Sequence, residues 1–104
     1  MRIPKSVKVG GTTYRVKVTN NLELGSKNYS GEIRYASREI RIAKNNNKEM
    51  LCATFLHELF HAIFDFHGHQ QHDEKLIEEL ANALFMIIVD NPDIFSDEKK
   101  VEVE

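Results

Sequence analysis

One cysteine, Cys52, in 104 residues leaves no partner for an internal disulfide, so packing, with or without a metal, has to hold the fold. Long apolar runs are also missing. Nothing approaches the ~20 apolar residues that a membrane-crossing helix needs. The opening Met1-Arg2-Ile3-Pro4-Lys5 is not followed by an apolar stretch, so no secretory signal and a cytoplasmic location are expected. Charge of one sign is absent as well. Fourteen basic and 16 acidic residues leave a formal net charge of −2, without the basic stripe that a nucleic-acid backbone requires. There are no internal repeats. A hydrophobic fraction of 41% in a chain this short supports one modest core. The expected organisation is a single domain over 1–96 with a charged, flexible tail over 97–104.

What is present divides into a β half and an α half. Ser6 to Val9 and Thr12 to Thr19 flank Gly10-Gly11, a dipeptide suited to a hairpin turn. Val16 and Val18 alternate with Arg15 and Lys17 at the period of a half-buried strand. Residues 20 to 31 carry Asn, Gly and Ser and read as loop, with Leu22 and Leu24 turned inward. Glu32 to Ala43 reads as a second hairpin turning near Ser37-Arg38, with Ile33, Tyr35, Ile40 and Ile42 as its apolar face. A helix is expected from Lys48 to Phe66, capped from the run Asn45-Asn46-Asn47 and stopped at Gly68. It is apolar on more than one face, which suits the middle of a small domain. Asp73 caps a second helix to about Asp90, with Leu76, Ile77, Leu80, Ala81, Leu84 and Ile88 as its stripe and Asn91-Pro92 as its stop. The fold class is therefore α+β: a small antiparallel or mixed sheet of three to four strands followed by two helices.

The first of these helices carries His57-Glu58-Leu59-Phe60-His61, an HExxH pentapeptide. Histidines spaced i,i+4 leave one face of a helix a turn apart, so both imidazoles can grip one cation. Burying two histidines and a glutamate on an apolar helix is costly unless each finds a partner, and a zinc ion provides it. Glu58, one residue round the helix, reaches a water held by that ion and serves as general base. A catalytic zinc takes three protein ligands and keeps one position open. His67 has the spacing of a third histidine, but Phe64 stands where a sharp turn needs glycine. The second helix offers Glu78 and Glu79. Glu78, beside the apolar stripe, is the expected third ligand, and Asn82, four residues on, could accept a hydrogen bond from a ligand histidine.

HELFH together with Glu78-Glu79-Leu80-Ala81-Asn82 resembles the gluzincins, the zinc peptidases that add a glutamate to HExxH, and more narrowly the ImmA/IrrE-type and very small "minigluzincin" metallopeptidases. The resemblance covers roughly residues 32 to 90. It departs at Leu84, where ImmA/IrrE-type proteins often carry an aromatic, and in lacking a helix-turn-helix or sensor domain. It implies a minimal zincin-like fold and a zinc-dependent peptidase with one Zn²⁺ per chain. His57, His61 and Glu78 would be its metal ligands and Glu58 its catalytic base. A protein or peptide substrate would lie extended along an edge strand, within Ile33 to Ile42. No nucleic-acid or membrane partner is expected, and the oligomeric state is left open. The competing reading is a regulatory or interaction module that keeps zinc without hydrolysis. A third is a zinc hydrolase acting on something other than a peptide.

Several other residues carry weaker expectations. Cys52 reads as a small buried apolar residue. Asp65 either orients a histidine or ends the helix in water. Tyr35, His69 and His72 are candidate donors to an oxyanion. His67, His69 and His72 read as an exposed polar turn rather than a second metal site. Phe95 and the alternation Val101-Glu102-Val103-Glu104 raise a self-inhibitory plug against disorder as the default.

Overall fold

Alternation of apolar and polar residues builds a four-stranded sheet from the first 43 residues; the first of two helices packs on it, and the second packs on the first. The computed structural model describes residues 1–95 except 21, 25, 26 and 46. The expected tail over 97–104 and its plug therefore lie outside the described residues, as do the side-chain placements of Leu22 and Leu24. Strands β1 (Ser6–Val9) and β2 (Thr12–Thr19) form the first hairpin. Gly10 takes φ 61°, the left-handed first position that a two-residue II′ turn demands. Its missing side chain has a second use. A Cβ there would lie 2.1 Å from the Phe66 ring, so glycine lets the end of the first helix seat on the hairpin turn.

The segment read as loop holds a small hairpin of its own, β3 (Leu22–Leu24) paired with β4 (Lys27–Tyr29). Three-residue strands are too short to leave a periodic signature in the sequence. Strands β5 (Gly31–Arg34) and β6 (Glu39–Ala43) form the expected second hairpin, turning through Arg38 at φ 56°. The sheet order is β1-β2-β6-β5, with β2 and β6 parallel and the other pairs antiparallel. The fold is thus α+β with a mixed sheet, and β5 lies at its edge.

Helix α1 (Lys48–Phe66) starts where the Asn47 side chain accepts from the Glu49 and Met50 amides, at 2.9 and 3.3 Å. It ends in a Schellman motif. The Gly68 amide donates to Asp65 O and the His69 amide to Phe64 O, both at 3.0 Å, with Gly68 at φ 84°. Helix α2 (Glu74–Asp90) is capped by Asp73, which accepts from the Leu76 amide at 3.2 Å. Phe55, Leu56 and Ala62 of α1 pack against Tyr14, Ile40 and Ile42 of the sheet, and Ala81 closes the core from α2. Ile40, Ile42 and Ile77 have no exposed surface. Val18 faces the same way as Val16 but is 49% exposed. Cys52 is buried, as its expected role requires. No helix among the described residues is long and apolar enough to cross a membrane.

Candidate metal centre

The middle of α1 supplies the first three side chains. His57 and His61, one turn apart, have ring centroids 5.1 Å from each other and look towards the start of α2. There the Glu74 carboxylate bridges them. Its Oε2 lies 3.0 Å from His57 Nε2, and its Oε1 lies 3.0 Å from His61 Nε2. Donor atoms of these three residues all fall within 4.8 Å of one another. Two imidazole nitrogens and a carboxylate are the donor set that zinc accepts at ~2.0–2.2 Å, so small outward adjustments would admit an ion among them. Glu74 has the freedom to adjust, because its side chain is 68% exposed at the first position of a helix.

The third donor expected from the sequence was Glu78; the three donor residues that the structure brings together are His57, His61 and Glu74. Glu78 lies one turn further along α2 and lines a cleft together with His57 and Glu58. Glu74 and Glu78 share one helix face at i,i+4, one turn apart. Docking of α2 on α1 brings Glu74, at the beginning of α2, opposite both histidines, with Glu78 beside the cleft that His57 also lines. Glu74 carried only a weak signal, an acid directly after a capping aspartate. Glu79 is exposed, and His67 occupies the C-cap of α1; neither joins the three donors.

Glu58 is 7% exposed and turns towards β5. A Cβ at Gly31 would meet Thr54 Cγ2 at 2.6 Å and Glu58 Oε2 at 3.2 Å, so the strand approaches the carboxylate this closely only because residue 31 is glycine. Burial, then the Glu74 and Glu32 carboxylates, push the Glu58 carboxyl up to about 7. A cleft of about 340 Å³ opens beside it, lined by Gly31, Thr54, His57, Glu58, Glu78 and Asn82.

A different environment lies behind His61. Its Nδ1 is 2.7 Å from His72 Nδ1, and His72 Nε2 is 3.0 Å from the His69 carbonyl oxygen. The two rings, with centroids 5.0 Å apart and planes 23° from parallel, meet edge to edge through these nitrogens. The loop chemistry brings this about. The Schellman turn at Gly68 reverses the chain, so residues 69 to 72 return along the helix they have left. The polar turn expected over these histidines is real, but His72 is half-buried and engaged. At His61 the partner of the ring nitrogen turned away from Glu74 is His72.

Burial holds the His61 imidazolium below its ordinary pKa. The Glu74 carboxylate opposes that shift, and His57 and His72 reinforce it. A second cleft of about 390 Å³ opens on this side, lined by Tyr35, Asp65, Gly68, His69, Gln70 and His72. Burial and the Asp65 carboxylate, with smaller contributions from Tyr14, Glu58 and Glu74, push the Tyr35 phenol up to about 12, so it keeps its proton. Asp65 lies exposed at the rim. Compared with protein-family models, with curated proteins and with solved structures, the chain matches none.

Proposed function

We propose that this chain is a zinc-dependent peptidase in which His57, His61 and Glu74 hold the ion and Glu58 is the catalytic base. One observation carries the reading: two imidazoles of an HExxH helix converge on a single carboxylate at 3.0 Å, with a buried glutamate at the mouth of the neighbouring cleft. Three donors among the described residues, rather than the four of a closed structural site, favour catalysis over a purely structural metal. Zinc, when bound, supplies a Lewis acid that polarises a carbonyl and makes water a better nucleophile near neutral pH.

The chain's own residues do the rest. Glu58 accepts a proton from the attacking water on a carboxylate oxygen and returns it to the leaving amine nitrogen. Its carboxyl, raised to about 7 in the metal-free protein, is poised near neutral pH, and a neighbouring cation would shift it further towards the anionic form that a base needs. Tyr35 lines the second cleft but lies near enough to Glu58 and Glu74 to feel their charges, and, staying protonated, it is the donor this reading assigns to the substrate's carbonyl oxygen. Strand β5 lies at the sheet edge and its Gly31 lines the cleft, so an extended peptide pairing with β5 would bring a backbone carbonyl to Glu58. Glu78 and Asn82 then face the peptide rather than the metal.

The test uses zinc stoichiometry and cleavage of a peptide library together. Glu58→Gln should keep about one zinc per chain, as three ligands require, and lose cleavage. Glu74→Ala should weaken zinc binding more than Glu78→Ala does. Full cleavage by the Glu58→Gln protein ends the assignment of Glu58 as the base, and no cleavage by the zinc-loaded wild type ends the peptidase reading. A larger loss from Glu78→Ala returns the third ligand to Glu78.

A further inference from the structure

We propose that His72 is a positioning residue for the metal site: it fixes the ring tautomer of His61 so that Nε2 presents a bare lone pair to the ion. The inference rests on the zinc reading above and adds a residue to it. The His69 carbonyl oxygen, 3.0 Å from His72 Nε2, can only accept, so Nε2 of His72 carries the proton. In a neutral His72 this leaves Nδ1 as an acceptor. Nδ1 of His61, 2.7 Å away, therefore donates, and Nε2 of His61 is left without a proton.

That assignment has a consequence on the other side of the ring. His61 Nε2 lies 3.0 Å from Glu74 Oε1. A bare nitrogen facing a carboxylate oxygen sets lone pair against lone pair, and a cation between the two atoms relieves it. A backbone carbonyl at one end and a carboxylate at the other thus leave His61 poised for a metal rather than for a hydrogen bond. The Schellman turn at Gly68 sets this up by bringing the His69 carbonyl and the His72 ring back towards α1. His57 has Glu74 before it but is more exposed, with 25% of its side chain in solvent against 11% for His61. The two ligands therefore differ in how far the fold has preset them.

The experiment combines imidazole nitrogen-15 NMR of the chelator-treated full chain with zinc titration. In the wild type, His61 should show a protonated Nδ1 and a bare Nε2. His72→Phe keeps the ring's bulk and removes the acceptor. It should mix the His61 tautomers and weaken zinc binding ~10–100-fold, the usual cost of losing a partner behind a ligand histidine. In His72→Asn an amide oxygen replaces Nδ1, and affinity should return to within a few-fold of wild type. A wild-type His61 protonated on Nε2 overturns the inference, even if His72→Phe fails to fold. A folded His72→Phe protein with undiminished affinity overturns it too, while leaving the metal reading intact. A wild type that binds no zinc removes both.

Discussion

The two sides of the imidazole pair are built on different principles. On the β5 side, a buried carboxylate lies against a glycine strand and a cleft, so the environment is dry and leaves Glu58 uncharged up to about pH 7. On the α1–α2 loop side, polar groups satisfy one another in series from the His69 carbonyl through His72 to His61. The first side disfavours the charged carboxylate, a cost that a cation can relieve. The second removes ambiguity from a ligand. A site needs both, because affinity comes from preset donors and reactivity from a base held away from its ordinary pKa.

The largest expected effect lies on the dry side. Glu58→Gln should lower peptide cleavage by ~10²–10⁴-fold, the usual contribution of a general base, while zinc content stays unchanged. Loss of zinc in that variant would make Glu58 a ligand and erase the distinction between the two sides.

A pH dependence of stability follows from the same carboxyl. Its folded pKa, about 7, lies above the ordinary value of 4.5, so the folded protein binds more protons than the unfolded one between those values. Stability of the metal-free protein should therefore fall as pH rises from 4.5 to about 7 and then level, by at most on the order of 3 kcal/mol. His61, whose pKa is lowered, works the opposite way in part of this window. Urea unfolding of wild type against Glu58→Gln, at pH 5 and pH 7.5 with chelator present, isolates the glutamate. The variant should gain on the wild type as pH rises, and no relative gain would mean that Glu58 is not held neutral.

Gly31→Ala comes next. The added carbon would press on Thr54 Cγ2 at 2.6 Å and crowd Glu58, so a cost of ~1–3 kcal/mol is expected, together with reduced cleavage. Unaltered melting temperature and cleavage would show that β5 yields freely and does not confine the base. The smallest effect lies on the loop side. Gly68→Ala has open space around the new carbon but forces alanine to φ 84°, which should cost ~1 kcal/mol. Zinc affinity should fall with it if the turn carries His72 to His61, and only the melting temperature should move if it does not.

Much of the fold was legible for local reasons. Gly10-Gly11, the turn at Arg38, the capping side chains of Asn47 and Asp73 and the stop at Gly68 each act within a few residues of themselves, and each element they bound appears where the sequence placed it. The β3–β4 hairpin escaped because three-residue strands have no period to read. Val18 escaped full burial although its alternation matches that of Val16, because alternation fixes a face and not the extent of the layer above it. In the site, His57, Glu58 and His61 were legible together, since helical geometry alone sets their relative directions. Glu74 and His72 were not, since each reaches the site through a contact between separate elements.

Taken alone, the sequence determined the α+β order, the ends of both helices and the common face of two imidazoles on α1, because backbone hydrogen bonding and side-chain period act over short stretches of chain. Only the tertiary structure decided which carboxylate meets those imidazoles and which group stands behind His61. Glu74 and Glu78 differ by one turn on one face, and a sliding of α2 by about 5.4 Å would exchange them. That offset is set by how Ile77, Ala81 and the α1 side chains pack, a many-body balance among buried surfaces that no local pattern records.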